Sequence, residues 1–187
     1  MQRARLLSLF AVVFSVGGCA STTTAELYPS PQEPVCADSA TALILWTPAW
    51  RADQKDVPAR EAAAAEGLDQ FFANSGCFRS VSLERLPQTA SEAAQTAAAE
   101  AARRNETVVL IAVRELGPTV EIGATLALVE GATEVVLEVS EFAPGKADPR
   151  TFTVHWRSGG PGVVKGVASL PQDMQAALAA GLQPPAR

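Results

Sequence analysis

The side chains able to do covalent chemistry are few: Cys19, Cys36, Cys77 and one histidine, His155. Cys19 follows Val16-Gly17-Gly18, small residues that leave the backbone open to a processing peptidase and the thiol open to acylation. Cys36 and Cys77 stand alone in the rest of the chain, and an oxidising compartment would pair them as a disulfide. Serine- or cysteine-based catalysis would need His155 beside a nucleophile, and no nucleophile-elbow motif is present. Strand alternation puts His155 on a polar face with Thr151, Thr153 and Arg157, the pattern of an exposed histidine. There is no histidine pair at i, i+4, no CxxC and no acidic calcium loop, so no metal site is expected. Glu138 and Glu141 do not share a strand face and form no paired-carboxylate site. The stretch Gly159 to Gly166 superficially suggests a phosphate loop. Its Lys165 precedes Gly166 where Ser or Thr is required, so it reads as a mobile connector. No cofactor is expected, and the chain reads as not an enzyme.

The N-terminus has the order of a secretory signal: Arg3 and Arg5, an apolar run from Leu6 to Val16, then small residues. The run is shorter than the roughly 20 residues a membrane-spanning helix needs. Val16-Gly17-Gly18-Cys19 resembles the bacterial lipobox. The resemblance implies cleavage before Cys19, lipidation of its thiol and three acyl chains on the mature N-terminus, a firm anchor where one chain would be marginal. Ala20 follows where an Asp would retain a sorted lipoprotein in the inner membrane. By that resemblance the outer membrane, on its periplasmic face, is the expected location in a Gram-negative cell.

Removing residues 1–18 leaves 169 of the 187 residues, enough for one domain with its own core. The lost segment carries two arginines and no acid, so the formal charge moves from −5 to about −7. An acidic chain of this kind offers no basic patch for nucleic acid or anionic lipid headgroups. Membrane contact must then come from the acyl chains. A Cys36–Cys77 bridge would stabilise the fold by roughly 3–4 kcal/mol through the unfolded chain.

The elements that must position these groups follow from periodicity. Residues 19–35 comprise the lipidated cysteine and a Thr-, Ser- and Pro-rich segment read as a flexible tether. Its r.m.s. span would be roughly 20 Å, with a limit near about 50 Å. Residues 36–183 read as a single periplasmic domain, and 184–187 as a tail. Within the domain, Thr41–Thr47 is an apolar strand, Pro58–Asn74 a helix, Cys77–Leu86 a strand, Ser91–Arg104 an Ala-rich helix and Thr107–Val113 a third apolar strand. Thr119–Val129 alternates cleanly, Glu130-Gly131-Ala132 reads as a turn, and strands follow around Val135–Val139 and Thr151–Arg157. A final helix opens with Ser169 and Gln172 as a capping box. The expectation is an α+β fold, βαβαβ followed by an antiparallel meander and a C-terminal helix, with helices packed on a mixed sheet. Parallel pairing of the first two strands would bring Cys36 and Cys77 to the same sheet end.

Of three tryptophans, Trp46 is expected in the core. Trp50 follows Pro48 in the loop leaving the first strand, where an aromatic can anchor a protein partner, with packing into the core the default for so large a side chain.

The segment Gly67 to Val81 (GLDQFFANSGCFRSV) ends a helix on a Phe pair and enters a strand through Ser-Gly-x-Phe. It resembles a pattern in periplasmic lipoproteins. Examples are the Tol beta-propeller N-terminal domain, lipoprotein activators of penicillin-binding proteins, the curli-secretion lipoprotein and auxiliary lipoproteins of lipid-trafficking ABC transporters. The resemblance implies an accessory or scaffold role in an envelope complex and carries over no catalytic residue. Two functions stand open: a membrane-anchored lipoprotein acting through an envelope protein partner, or a small-ligand or lipid-binding module of a transport system.

Overall fold

A computed structural model describes residues 21–87, 89–122, 129–161 and 163–183. The signal segment, Cys19 and the 184–187 tail lie outside the described residues. Six strands form one mixed sheet with three helices packed on it. In chain order these are β1 (Thr22–Tyr28), β2 (Ala37–Pro48), α1 (Val57–Asn74), β3 (Phe78–Arg85), α2 (Ala90–Arg103), β4 (Thr107–Ile122), β5 (Val129–Phe142), β6 (Arg150–Pro161) and α3 (Leu170–Leu182). The strand order is β1-β6-β5-β4-β2-β3. β2 runs parallel to β3 and β4, while β4-β5-β6-β1 are antiparallel neighbours. The α+β class and the βαβαβ start are as the periodicity implies.

Burial explains the layering. On β2, Ala42, Ile44 and Trp46 face α1 and α3, whereas Leu43 and Leu45 face α2. β4 repeats the division, with Val109, Ile111 and Val113 on the first face and Val108 and Leu110 on the second. Two-sided burial is why these strands read as continuous apolar runs. α1 and α3 pack so closely that a Cβ at Gly67 would lie 2.6 Å from Met174 Cβ. α2 packs on β2, β4 and part of β5, so among the described residues one face of β1, β6 and the rest of β5 carries no helix.

Three expectations are corrected. The segment read as a tether is ordered: Thr22–Tyr28 is β1, paired with β6 from Thr22↔Gly159 to Tyr28↔Thr153. The strands expected at 107–113 and from 119 belong to one strand, β4, with a bulge between Val113 and Glu115. The expected turn at Glu130-Gly131-Ala132 lies inside β5, with Gly131 opposite Val120 and Gly160. Gly131 is there for close approach, not for turning: a Cβ would sit 2.2 Å from the Val163 carbonyl oxygen. Gly117 in β4 has a similar reason, since a Cβ there would fall 1.6 Å from Arg60 Nη1.

Cys36 and Cys77 form a disulfide with Cα atoms 4.5 Å apart. The bridge joins the approach to β2 to the entrance of β3, as parallel pairing requires. Val35 N–H and Cys36 N–H both donate to the Leu182 carbonyl, so the end of α3 is fixed at the same place.

Candidate functional site

α1 follows β2 on one face of the sheet and α2 follows β3 on the other, and the chain leaving the carboxyl end of β2 borders a cleft against β4 and β5. Ligand and partner sites in open α/β sheets favour such switch points. Trp46 near the end of β2 is buried and stacked beneath the Arg85 guanidinium, 5.6 Å from the ring centre. Arg85 Nη2 donates to Glu61 Oε2 at 2.6 Å, and Trp50 Nε1 donates to Glu61 Oε1 at 3.4 Å. Trp50 is half-buried against the core, with its polar edge tied to α1. Its environment is therefore mixed, neither a bare apolar patch nor an enclosed pocket.

A second cluster lies beside it. Arg60 Nη1 reaches Glu115 Oε1 at 2.7 Å and the Leu116 carbonyl at 2.6 Å. Gln54 Nε2 donates to the same Glu115 oxygen at 2.8 Å, and Arg51 Nη2 lies 3.4 Å from Glu115 Oε2. A cleft of about 270 Å³ borders both clusters, lined by Trp50, Arg51, Arg114, Glu115, Glu134 and Val136. Arg60, Arg85, Glu61 and Glu115 are all in ion pairs, and the clusters contain no serine or cysteine nucleophile.

The other sequence-derived residues fall elsewhere. His155 is exposed on the uncovered sheet face, between Glu26 of β1 and Val136 of β5 in register. The Tyr28 ring meets it edge-on at 6.1 Å, and Tyr28 OH donates to Glu26 Oε2 at 2.9 Å. That hydrogen bond to a carboxylate raises the Tyr28 hydroxyl above its ordinary value, with the charge of Glu26 adding to it. Glu138 pairs with Arg114 and Glu141 with Arg150, so the two carboxylates serve separate ion pairs. Among the described residues, no group of three or more His, Cys, Asp or Glu side chains could hold a metal.

The Gly-rich stretch differs from the expected connector. Ser158 to Pro161 belong to β6, and the following residues are fastened to α3. Lys165 Nζ lies 2.9 Å from Asp173 Oδ1, while Ser169 Oγ donates to Asp173 Oδ2 and to the Gly166 carbonyl. Ser169 makes no cap to its own helix, so the expected capping box is absent there. The reciprocal box occurs on α2 instead, between Thr89 and Glu92. Sequence reasoning passed over Asp173, although an acid in the first turn of a helix signals a role near its N-terminus.

No protein-family model matches the chain, and no curated protein matches it. Solved structures similar to it include the PelC dodecamer from Paraburkholderia phytofirmans, 16% identical with a TM-score of 0.47, covering 88% of this chain and 100% of that one. Rare lipoprotein B from Shewanella oneidensis matches at 11% identity and a TM-score of 0.31, covering 72% and 89%. A protein from Xanthomonas campestris assigned to the DUF330 family model matches at 16% and 0.32, covering 83% and 85%.

Proposed function

We propose that this chain is a lipid-anchored lipoprotein of the bacterial envelope, acting without catalysis as an accessory or scaffold subunit through protein contacts. The observation that carries the reading is the junction at the N-terminus. The lipobox cysteine stands three residues before Thr22, so an acylated mature chain passes directly into the sheet through β1. A domain held in this way is a fixture on its membrane. The Cys36–Cys77 bridge agrees with export to an oxidising compartment. Ala20 favours the outer membrane, facing the periplasm.

Trp50 and the ion-paired groups around it form the surface proposed to meet the partner. Large aromatics with a tied polar edge are frequent anchors at such interfaces. The resemblance of residues 67–81 to periplasmic accessory lipoproteins supports the same class of role. In-cell photocrosslinking from position 50 of the lipidated protein, followed by affinity purification, tests the reading. One or two envelope proteins should recur as crosslinked partners. Reproducible absence of any envelope partner, with the protein present at the membrane, would sink it.

A further inference from the structure

The antiparallel order fixes which end of the sheet the anchor enters. β1 begins opposite Gly159 of β6, which lies opposite Ala132 of β5 and so Thr119 of β4. Its first residue is therefore at the end where β4 stops at Ile122 and β6 stops at Pro161. Three peptide units separate Cys19 from Thr22, a reach of at most about 11 Å. Whatever is attached to Cys19 must sit at this end.

The segment following β6 at that same end has an unusual arrangement of side chains. Val164 is 93% exposed and Val167 49%, two of the large apolar side chains most open to solvent among the described residues. Between them Lys165 turns inward, its side chain only 18% exposed against an Asp173 side chain at 8%. Charge in and valine out inverts the ordinary rule for a loop. The inversion is held in place: Val163 N–H donates to the Gly160 carbonyl, Ser169 N–H to the Gly166 carbonyl, and Ser169 Oγ braces Asp173. Val164 and Val167 are thereby held facing solvent near each other in the chain.

We propose, building on the lipoprotein reading, that this end of the sheet rests on the lipid bilayer and that Val164 and Val167 contact its apolar boundary. The acyl chains on Cys19 would hold the loop within reach of the membrane surface, and the valines would then set the orientation of the domain. The contact is shallow and apolar rather than electrostatic, because Lys165, the lysine between the two valines, is already paired with Asp173. The opposite end, with the exposed β5–β6 loop from Pro144 to Pro149, would face the periplasm.

The test uses the lipidated full-length mature protein in vesicles of phosphatidylethanolamine and phosphatidylglycerol. Single Val164→Cys, Val167→Cys and Lys146→Cys variants carry an environment-sensitive fluorophore, with a nitroxide quencher borne on the lipid chains. Labels at 164 and 167 should be quenched several-fold more than the label at 146. Equal quenching at all three positions overturns the orientation. A label at 164 that is shielded from water yet untouched by the lipid quencher also overturns it, and points to a protein contact. Mass analysis of the N-terminal peptide and vesicle flotation report on the anchor separately. An unlipidated chain that does not float defeats both readings, whereas a lipidated, floating protein with equal quenching defeats only the orientation.

Discussion

Arg60 occupies the space that a side chain at Gly117 would need, with its Nη1 only 1.6 Å from the position of a Cβ there. The same nitrogen donates to Glu115 and to the Leu116 carbonyl, so the guanidinium is clamped across the β4 backbone just past its bulge. Arg60 and Glu115 side chains are only 11% and 14% exposed. Removing one partner leaves a largely buried charge, partly compensated here by Arg51 and Gln54. Arg60→Ala should therefore destabilise the domain by about 2–3 kcal/mol in urea denaturation. Gly117→Ala should be severe in the native protein and much milder in the Arg60→Ala background. Simple additivity of the two substitutions would refute the shared space.

Gly131 makes a related prediction on the other side of the sheet. Its missing side chain admits the Val163 carbonyl, and a methyl group would push that strand connection outward. Gly131→Ala should cost about 1–3 kcal/mol. Proteolysis in the segment 163–166 should become faster, while the protection of β2 amides from hydrogen exchange stays as before.

Opening the disulfide should be felt mainly in global stability. Cys36→Ser with Cys77→Ser removes a bridge spanning 41 residues and should lower stability by roughly 3–4 kcal/mol in the chain-entropy model. Neither cysteine should react with a thiol reagent in the denatured, unreduced protein. Full labelling of both would contradict the bridge.

The cap of α2 gives a pH dependence. Thr89 N–H and the Thr89 hydroxyl both donate to Glu92, holding its carboxyl below the ordinary value of 4.5. A carboxyl with a depressed folded value contributes stability above its unfolded value, and loses it as the pH falls through the lower folded value. Amide exchange in the first turn of α2 should accelerate across that acid window. Thr89→Ala removes the hydroxyl donor but keeps the backbone N–H, so it should return the Glu92 titration, followed by NMR, part of the way toward 4.5 and shrink the acid-dependent step. An unchanged Glu92 titration would contradict the cap.

The central elements were legible because burial wrote them into the chain. β2 and β4, covered on both faces, appear as Leu43-Ile44-Leu45 and Val108-Val109-Leu110-Ile111. The parallel order of β2 and β3 also made the Cys36–Cys77 pairing readable. β1 was missed because its ladder with β6 is a long-range pairing and the strand is almost wholly exposed, so Thr22 to Tyr28 has little apolar pattern. Gly131 was misread because glycine marks both turns and close approaches, and only the neighbour across the gap tells them apart. Trp50 lies just past the end of β2, as its place after Pro48 implies. Its partner Glu61 belongs to α1, and the Arg85 that Glu61 also holds belongs to β3, so no local spacing connects them.

The seven-residue ladder between β1 and β6 has a mechanical consequence. A load applied at residue 19 and resisted by the body of the domain acts along the axis of β1, not across it. Backbone hydrogen bonds along that edge would be strained together, in shear, instead of opening one after another as in peeling. The edge strand β1 is thus a stiff lever into the body of the domain. In the lipid-anchored scaffold proposed above, thermal motion of a partner would be passed to the membrane, and membrane tension to the partner, with little slack between them.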